Sequence, residues 1–386
     1  MWKANTAMFD EMIDPDSDGA RQPYASMFEW LNEQNFSKLC NQSKQAEELF
    51  RRIGITFNVY GQKDEQERLI PFDIIPRILS AQEWRVMEAG IVQRVAAINA
   101  FLDDVYNAQE IIKAGIIPSD LINRNKAFLP QMCGFKPPGG IYTHVVGVDI
   151  VRTDVNEFFV LEDNARVPSG VSYMIENRAT MLQMFPELFT SNHIKQVSNY
   201  PKQLFRSLAA GARDIADNPN IAVLTPGIFN SAYYEHSFLA DEMGVDLLQG
   251  SDLEVRDGKV MIRTTAGIEP VDVIYRRIDD EFIDPLSFDP QSVLGTPGLF
   301  DAYRSGNVML ANAPGSGIAD DKAIYSYMPV IIEFYMGAKP LLNNIPTWRC
   351  GNPDDLGYVL DNLAELVVKE VHGSGGYGML VGPASS

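Results

Sequence analysis

Apolar residues recur every three or four positions over much of the first third of the chain. After Ser80 and Glu83, which form a capping-box pattern, they continue through Val105 and predict one long helix with a single buried stripe. A shorter amphipathic helix is predicted over Ser37–Arg52, and a short strand over Ile55–Tyr60. Residues 1–35 mix acids, prolines and aromatics, so we expect an irregular arm there.

After residue 136 the period of the apolar pattern changes to two, which is typical of strands. His144–Arg152 and Phe158–Arg166 are predicted to pair as an antiparallel hairpin around the turn Asp154–Glu157. A helix is predicted to follow, with Ser172 as its cap and Phe185 as its last residue.

Short apolar strands and a helix alternate over residues 200–315, an order that favours a parallel sheet. The predicted segments are the strand Ile221–Leu224, the helix Tyr233–Met243 and the strands Val245–Leu248, Val271–Tyr275 and Val308–Ala311. Between them, Leu253–Arg263 is predicted to be a hairpin insertion that turns at Asp257 and Gly258.

The end of the chain predicts two strands, Leu366–Val371 and Met379–Val381, around the glycine-rich loop His372–Gly378. A two-stranded hairpin is marginally stable by itself, so either it packs on the rest of the chain or a further C-terminal piece follows residue 386, and we favour the second interpretation.

Composition narrows the possible functions. The formal net charge of −19 argues against a nucleic-acid-binding surface and against docking to anionic membranes. The three cysteines, Cys40, Cys133 and Cys350, are far apart, so neither a disulfide framework nor a zinc site is expected. We see no signal peptide and no membrane-spanning run, and therefore expect a cytoplasmic protein.

The acidic hairpin carries the clearest chemical signal. The predicted turn places Asp149 directly across from Glu162, with Asn164 on the same face and with Val151, Phe158 and Val160 beside them. Like charges that face each other cost stability, and a divalent cation would relieve that cost. Two carboxylates and an amide oxygen suit Mg²⁺. A solvent-facing acidic turn and a glycosidase-like carboxylate pair are the alternatives.

Arg166 and Ser169 follow the hairpin on a loop rich in proline and glycine. Beside a metal they could hold phosphate oxygens, because the arginine fork suits phosphate. An ordinary loop arginine paired with an acid is the alternative.

Two lysines are candidates for nucleotide binding. Asp320 is predicted to cap a helix over Asp321–Tyr335, which places Lys322 in the first turn, where an anion would bind. Lys369 stands on the strand before the glycine loop. A solvated surface lysine is the alternative for Lys322. The loop glycines would let backbone amides approach phosphates closely: Gly373, Gly375, Gly376 and Gly378.

Taken together, these segments resemble the circularly permuted ATP-grasp family that includes glutathionylspermidine synthase. The strand, lysine and glycine loop are similar to the ATP-grasp lid, and the acidic hairpin is similar to its metal site, which here precedes the lid. Further segments resemble uncharacterised bacterial members of this family: Phe72–Arg77, Met132–Phe135, Pro138–Tyr142, Leu161–Asn164, Pro168–Tyr173, Tyr275–Asp279 and Gly317–Lys322. One departure is that Gly147 and Val148 stand where that synthase has an arginine, which Arg152 or Arg166 could replace.

The resemblance implies a mixed α/β fold in three parts. Residues 1–200 would be a helical arm plus the metal-binding part, 201–316 a Rossmann-like pre-ATP-grasp unit, and 317–386 the nucleotide-binding part with its lid. It implies Mg²⁺ at Asp149, Glu162 and Asn164. It implies ATP at Lys322 and Lys369, under a lid loop comprising Gly373, Ser374, Gly375, Gly376 and Gly378.

The implied activity is the joining of a carboxylate to an amine through an acylphosphate, at the expense of ATP. Candidate substrate-binding residues follow the predicted strand that ends at Tyr275, where ligands of open α/β sheets collect: Arg276, Arg277, Asp279 and Asp280. A salt-bridged strand end is the alternative for this run. A non-catalytic nucleotide-binding or scaffold protein with the same fold is the alternative for the whole chain.

Overall fold

The computed structural model describes residues 9–14, 16–17, 19–54, 56–57, 68–69, 71–265, 267–371 and 378–385. The α-helices in these ranges, α1 to α13 in chain order, are Ala25–Glu33, Phe36–Ile53, Ala81–Tyr106, Glu110–Lys113, Ser119–Asn123, Val171–Met184, Pro186–Ser191, Tyr200–Gly211, Tyr233–Met243, Leu299–Arg304, Lys322–Tyr325, Met328–Met336 and Pro353–Asp361.

The strands in the same ranges, β1 to β14 in chain order, are Thr56–Phe57, Arg68–Leu69, Gly147–Asp154, Glu157–Asn164, Ile221–Leu224, Asp246–Leu248, Leu253–Arg256, Lys259–Thr264, Gly267–Pro270, Val273–Arg276, Met309–Ala311, Asn343–Asn344, Val367–Val368 and Leu380–Val381.

The chain divides into two compact units, each made of two separate segments. The first comprises residues 1–84 and 169–310, and the second residues 85–168 and 311–386. The division into three functional parts, residues 1–200, 201–316 and 317–386, stays a prediction.

In the first unit, the four strands of the central sheet lie in the order β11-β10-β5-β6. Strand β5 pairs in parallel with both β10 and β6, as the alternation of strands and helices predicted. The insertion forms a separate antiparallel sheet, β7-β8-β9. Its first turn lies at Asp257 and Gly258, whose φ angles of 51° and 73° suit a two-residue hairpin turn.

The helix predicted over Ser37–Arg52 forms as α2, but the expectation of an irregular arm over residues 1–35 is wrong in part, because Ala25–Glu33 forms helix α1. Asn35 caps α2 through the N–H of Ser37, and Gly54 ends it with a φ of 81°. The Ser80–Glu83 capping box is present, because each residue's backbone N–H donates to the other's side chain, over 2.7 and 3.2 Å. Buried side chains of α1, α2 and α6, with Phe185, form an apolar core of this unit.

In the second unit, the central sheet has the order β12-β4-β3, with β12 parallel to β4 and β4 antiparallel to β3. Helix α3 packs closely against the segment before β12: a Cβ on Gly90 would lie 2.4 Å from Leu342 Cγ. A buried apolar cluster forms on one face of this sheet from Val160 of β4, Tyr325 of α11 and Leu342.

Candidate active site

Strands β3 and β4 form the predicted hairpin, and the pairing at its two ends is the predicted one, although the register shifts twice between them. Asp154 pairs with Glu157 at the turn, and Asp149 lies across from Glu162 near the other end. Asn164, the last residue of β4, pairs with Gly147, whose carbonyl accepts a 3.4 Å hydrogen bond from the Asn164 amide. Two carboxylates and an amide oxygen therefore meet at one end of this hairpin.

The prediction that Phe158 and Val160 share the face of Asp149 is wrong. The register shifts by one residue between Asp149 and Ile150, because Leu161 is an extra residue that forms a β-bulge in β4. Phe158 and Val160 therefore pack with Val148 and Ile150 in the buried cluster, on the opposite face. The bulge lets β4 keep its core contacts while Glu162 turns to face Asp149.

The Asp149 carboxylate lies in an unfavourable environment for a negative charge. Neighbouring protein atoms displace part of its hydration, although the residue is exposed, and this raises its pKa. The charge of Glu162 and a hydrogen bond between the two side chains raise the pKa further, while the Lys369 ammonium lowers it. The crowded carboxylates and the cation are thus close enough to interact. Across the described residues, no group of three or more His, Cys, Asp and Glu forms a metal cluster.

A buried ion pair fixes the residue between Glu162 and Asn164. Arg94 Nε and Nη2 each donate to the Asp163 carboxylate over 2.6 Å, and both side chains are almost fully buried. Arg94 also donates to Asn344 Oδ1 of β12 over 2.7 Å, which ties α3 to both strands. The sequence analysis did not identify Arg94 as a site residue. An arginine on the predicted buried stripe of α3, three residues after Ile91, was a signal that could have found it.

The loop after β4 is held by Asp320. Its carboxylate accepts the backbone N–H groups of Ala165 and Arg166, and it pairs with Arg166 Nε at 3.8 Å. Arg166 thus has an acidic partner, as the alternative interpretation expected, and its side chain is still 43% exposed. Arg152, the other replacement, donates to Asp154 O and stacks on Phe158 at the turn end of the hairpin.

The helix that carries Lys322 differs from the prediction. Asp321, rather than Asp320, is the cap, because its side chain accepts the N–H groups of Ala323 and Ile324. The helix does not run to Tyr335: α11 ends at Tyr325, and α12 starts a new helix with a proline in its first turn. Lys322 is the first residue of α11 and thus lies in the first turn, as the sequence predicted.

The two lysines come from neighbouring segments. The Lys322 N–H donates to the carbonyl of Val371 over 3.4 Å, two residues after Lys369. The prediction that Lys369 stands on the strand Leu366–Val371 is wrong, because β13 ends at Val368 and Lys369 follows it; β13 pairs with β14 as the predicted hairpin. Four lid residues lie outside the described residues: Gly373, Ser374, Gly375 and Gly376. Gly378 has a φ of 64°, and a Cβ there would clash with the Glu370 side chain.

The first unit holds a second polar cluster, centred on Arg277. This buried guanidinium donates to Ser169 Oγ over 2.8 Å and to Tyr275 Oη over 3.1 Å, and lies 3.4 Å from Glu235 Oε1. Its backbone N–H donates to Leu224 O, which places it at the carboxyl ends of β5 and β10. Ser169 and Arg277, two predicted site residues far apart in sequence, are therefore in contact.

Glu235 is the central residue of this cluster, and no local sequence pattern pointed to it. Its Oε2 accepts the N–H groups of Gly170 and Ser172 and the hydroxyl of Ser172, over 2.7 to 3.1 Å. The prediction that Ser172 caps the helix is wrong: Gly170 is the N-cap residue and the Glu235 carboxylate takes the place of its side chain. The next residue is His236. Its burial and the positive charge of Arg277 together lower its pKa to about 3.

Arg276 is a different case from its neighbour. Its buried guanidinium donates to Ile278 O over 2.8 Å and pairs with Asp280 at 2.6 Å, so it closes the end of its own strand. This arrangement matches the salt-bridged strand end considered above. Asp149, Glu162, Asn164, Arg166, Lys322 and Lys369 belong to the second unit, whereas Ser169, Arg276 and Arg277 belong to the first.

The chain belongs to the circularly permuted ATP-grasp family. The model of this family, described as "A circularly permuted ATPgrasp", matches residues 76–386. The family and the fold class predicted from the sequence are thereby confirmed. In the part of the chain that the structure describes, no helix is both long and apolar enough to cross a membrane.

Relatives cover nearly all of this chain. An uncharacterised protein of Synechocystis sp. is 49% identical over 366 residues, which are 95% of this chain and 76% of that protein. An uncharacterised protein of Mycobacterium tuberculosis is 47% identical over 378 residues, which are 98% of this chain and 68% of that protein. In Frankia alni, a protein named "Putative glutamate--cysteine ligase 2-3" is 39% identical over 383 residues, 98% of this chain but 44% of that protein.

A solved structure shares the fold. The apo form of a glutathione synthetase-like effector from Globodera pallida superposes with a TM-score of 0.55 and 12% identity, covering 90% of this chain and 76% of the effector. At that identity the likeness concerns the fold alone.

Proposed function

We propose that this protein is an ATP- and Mg²⁺-dependent carboxylate–amine ligase that acts in the cytoplasm. Membership of the ATP-grasp family supports an ATP-dependent ligase. One observation carries the assignment of the site: Asp149 faces Glu162 at the open end of the hairpin, and Lys369 lies close enough to act on the Asp149 charge.

The residues present fit a magnesium ion. Hard oxygen ligands come from Asp149, Glu162 and Asn164 at one end of the hairpin, which suits an ion that takes few protein ligands. A bound cation would neutralise the two crowded carboxylates and so stabilise them. When bound, Mg²⁺ supplies charge neutralisation at the phosphate oxygens. The buried Arg94–Asp163 pair holds the strand that carries two of these three ligands.

The nucleotide triphosphate would lie beside this hairpin. Lys322, at the start of α11, and Lys369, after β13, are expected to pair with its phosphates. The lid glycines, Gly373, Gly375, Gly376 and Gly378, with Ser374, would cover the phosphates and exclude water. Arg166 can contribute a further cation from the loop after Asn164.

The proposed reaction has two steps. A substrate carboxylate oxygen attacks the γ-phosphorus of ATP, so that ADP leaves and an acylphosphate forms. An amine nitrogen then attacks the acyl carbon, inorganic phosphate leaves, and the amine loses a proton as the amide forms. Arg277 and Ser169 are the residues we assign to the acid substrate, because Arg277 holds the Ser169 hydroxyl at the strand ends where ligands collect.

Thermal unfolding with and without Mg²⁺-ATP tests the nucleotide site. Binding should raise the midpoint for the wild type, and Asp149→Ala should lose most of that rise. Asp154→Ala, at the turn end of the same hairpin, is the matched control and should respond like the wild type. Equal shifts for the wild type and Asp149→Ala would remove Asp149 from the site. Mg²⁺-ATP binding without ADP release across many acids and amines would favour the non-catalytic alternative.

A further inference from the structure

A buried asparagine joins the two strands of the acidic hairpin just beyond its open end. Asn312, which directly follows β11, is 2% exposed. Its Oδ1 accepts the N–H groups of His144 and Val145 over 2.7 and 3.0 Å. Its Nδ2 donates to Val145 O over 2.7 Å, to Ala165 O over 2.8 Å and to Arg166 O over 3.4 Å. One side chain thus binds the backbone before β3 and the backbone after β4.

These hydrogen bonds take the place of the next backbone pair of the β3–β4 ladder. Gly147 and Asn164 form the last pair. Val145, two residues further out, bonds through both its N–H and its C=O to the Asn312 amide, as a residue of an antiparallel ladder does with its partner strand. The amide therefore holds the two strands at a set separation, at the end of the hairpin where the proposed Mg²⁺ ligands lie.

An amide satisfies both sides of this position. The Asn312 oxygen faces two N–H groups, and its NH₂ group faces carbonyl oxygens. An apolar side chain would leave these buried backbone groups without partners, and a carboxylate would bring negative charge against the carbonyl oxygens. The chemistry of the side chain is therefore set by the two backbone segments that it joins.

The segment that follows Asn312 is anchored on both sides, so that it can act as a support. The Tyr106 hydroxyl of α3 donates to Gly315 O over 2.9 Å. Further along, the Asp320 carboxylate accepts two backbone N–H groups from the residues directly after β4. All of these residues belong to the second unit. Residues 312–320 therefore connect the long helix α3 to the end of the hairpin.

We propose that Asn312 is a positioning residue that makes the metal site selective for Mg²⁺ over Ca²⁺. Mg²⁺ requires near-octahedral oxygen ligands at about 2.0–2.1 Å, whereas Ca²⁺ accepts irregular ligand sets at about 2.3–2.6 Å. Ligands that come from two strands suit the smaller ion only when the strand separation is fixed. This inference rests on the proposed function and adds the residue that determines the metal specificity of its site.

Calorimetric titration with Mg²⁺-ATP and with Ca²⁺-ATP, each formed with an excess of metal, tests the proposal. The wild type should bind Mg²⁺-ATP at least about tenfold more tightly than Ca²⁺-ATP. Asn312→Ala should weaken Mg²⁺-ATP binding about tenfold, as is typical for partners that orient metal ligands, and Ca²⁺-ATP binding less than about threefold. Asn312→Ser, measured in parallel, should lose the same preference at a smaller cost in stability, because its hydroxyl is too short to join both strands.

Asn99→Ala is the matched control. Asn99 Oδ1 accepts the N–H groups of Tyr142 and Thr143 over 2.9 and 3.0 Å, so its removal also leaves two adjacent N–H groups without a partner. These groups precede β3, however, and Asn99 makes no hydrogen bond to the described residues after β4. Asn99→Ala should therefore lower the unfolding midpoint and leave the preference for Mg²⁺ unchanged.

An unchanged preference for Mg²⁺-ATP in either Asn312 variant overturns the proposal, because a purely structural role would lower stability without changing the ratio of the two affinities. An equal loss of preference in Asn99→Ala overturns it as well. A wild type that binds both complexes with the same affinity overturns it without any variant, while the nucleotide site stands. A wild type that binds neither complex overturns the proposed function instead.

Discussion

Among single residues, Asp149 occupies a position that its own charge opposes. Lost hydration and the facing Glu162 both raise its pKa, and the Lys369 cation offsets them only in part. Natural proteins keep such an arrangement when binding requires it, and they lose some stability in exchange. The ligand-free protein should therefore become more stable when this charge is removed, whereas a structural ion pair would have the opposite effect.

We expect Asp149→Asn to raise the unfolding midpoint at pH 7 by roughly 1–2 °C without ligand. An acid with a raised pKa in the folded state weakens the fold when it ionises. Its stability contribution is thus full below the ordinary pKa of 3.8 and lost as pH rises through the raised value. Unfolding curves from pH 3 to 7 should diverge over that window, with the variant higher at pH 7. A lower midpoint for the variant at pH 7 would show that Asp149 is paired and stabilising.

Strand β4 and helix α3 form the element pair on which the site depends. The ion pair between Arg94 and Asp163 joins them, and both of its side chains are almost fully buried. Asp163 stands between Glu162 and Asn164 in the sequence. A buried pair of this kind adds little net stability, but loss of one partner leaves an uncompensated charge. Its position suggests that it fixes the register of the ligands.

Arg94→Met should lower the free energy of unfolding by about 3–5 kcal/mol, since it leaves the Asp163 carboxylate buried without a partner. The double variant Arg94→Met/Asp163→Leu should recover most of that loss. If the pair also orients Glu162 and Asn164, the recovered fold should still show a weaker Mg²⁺-ATP shift than the wild type. Urea unfolding measures the first effect, and thermal shifts measure the second. A full Mg²⁺-ATP response in the double variant would limit the pair to a structural role.

The hairpin shows what an apolar pattern can and cannot predict about an element. The turn predicted the pairing of Asp149 with Glu162, and this pairing holds because the two register shifts between them compensate each other. The bulge at Leu161 was not predictable, because residues 158–161 are all apolar and contain no alternation that an extra residue could invert. The break between α11 and α12 did leave a sequence signal, because Pro329 stands in the first turn of α12, where proline is favoured, and not inside a continuous helix.

In the whole molecule, the two candidate clusters belong to separate units, and each unit is made of two separate segments of the chain. The sequence predicted which residue types matter, but local patterns contain no information on which distant segments fold together. Glu235 is the clearest example: it is an ordinary helix residue by sequence, and only the fold brings it to Ser172 and Arg277. The residues proposed for the nucleotide and the residues proposed for the acid belong to different units.

This separation makes a prediction for amide hydrogen exchange. Mg²⁺-ATP should slow exchange in β3, in the last residues of β4 and in the segment from Lys322 to Tyr325, because these surround the proposed phosphates. The antiparallel sheet β7-β8-β9 of the first unit should exchange at the same rate with and without nucleotide. Asp149→Asn supplies the control, since it should abolish the protection without changing the basal rates in β7-β8-β9. Protection that instead centred on the carboxyl ends of β5 and β10 would place the nucleotide beside Arg277, and the oxygens of the β3–β4 hairpin would then need another explanation.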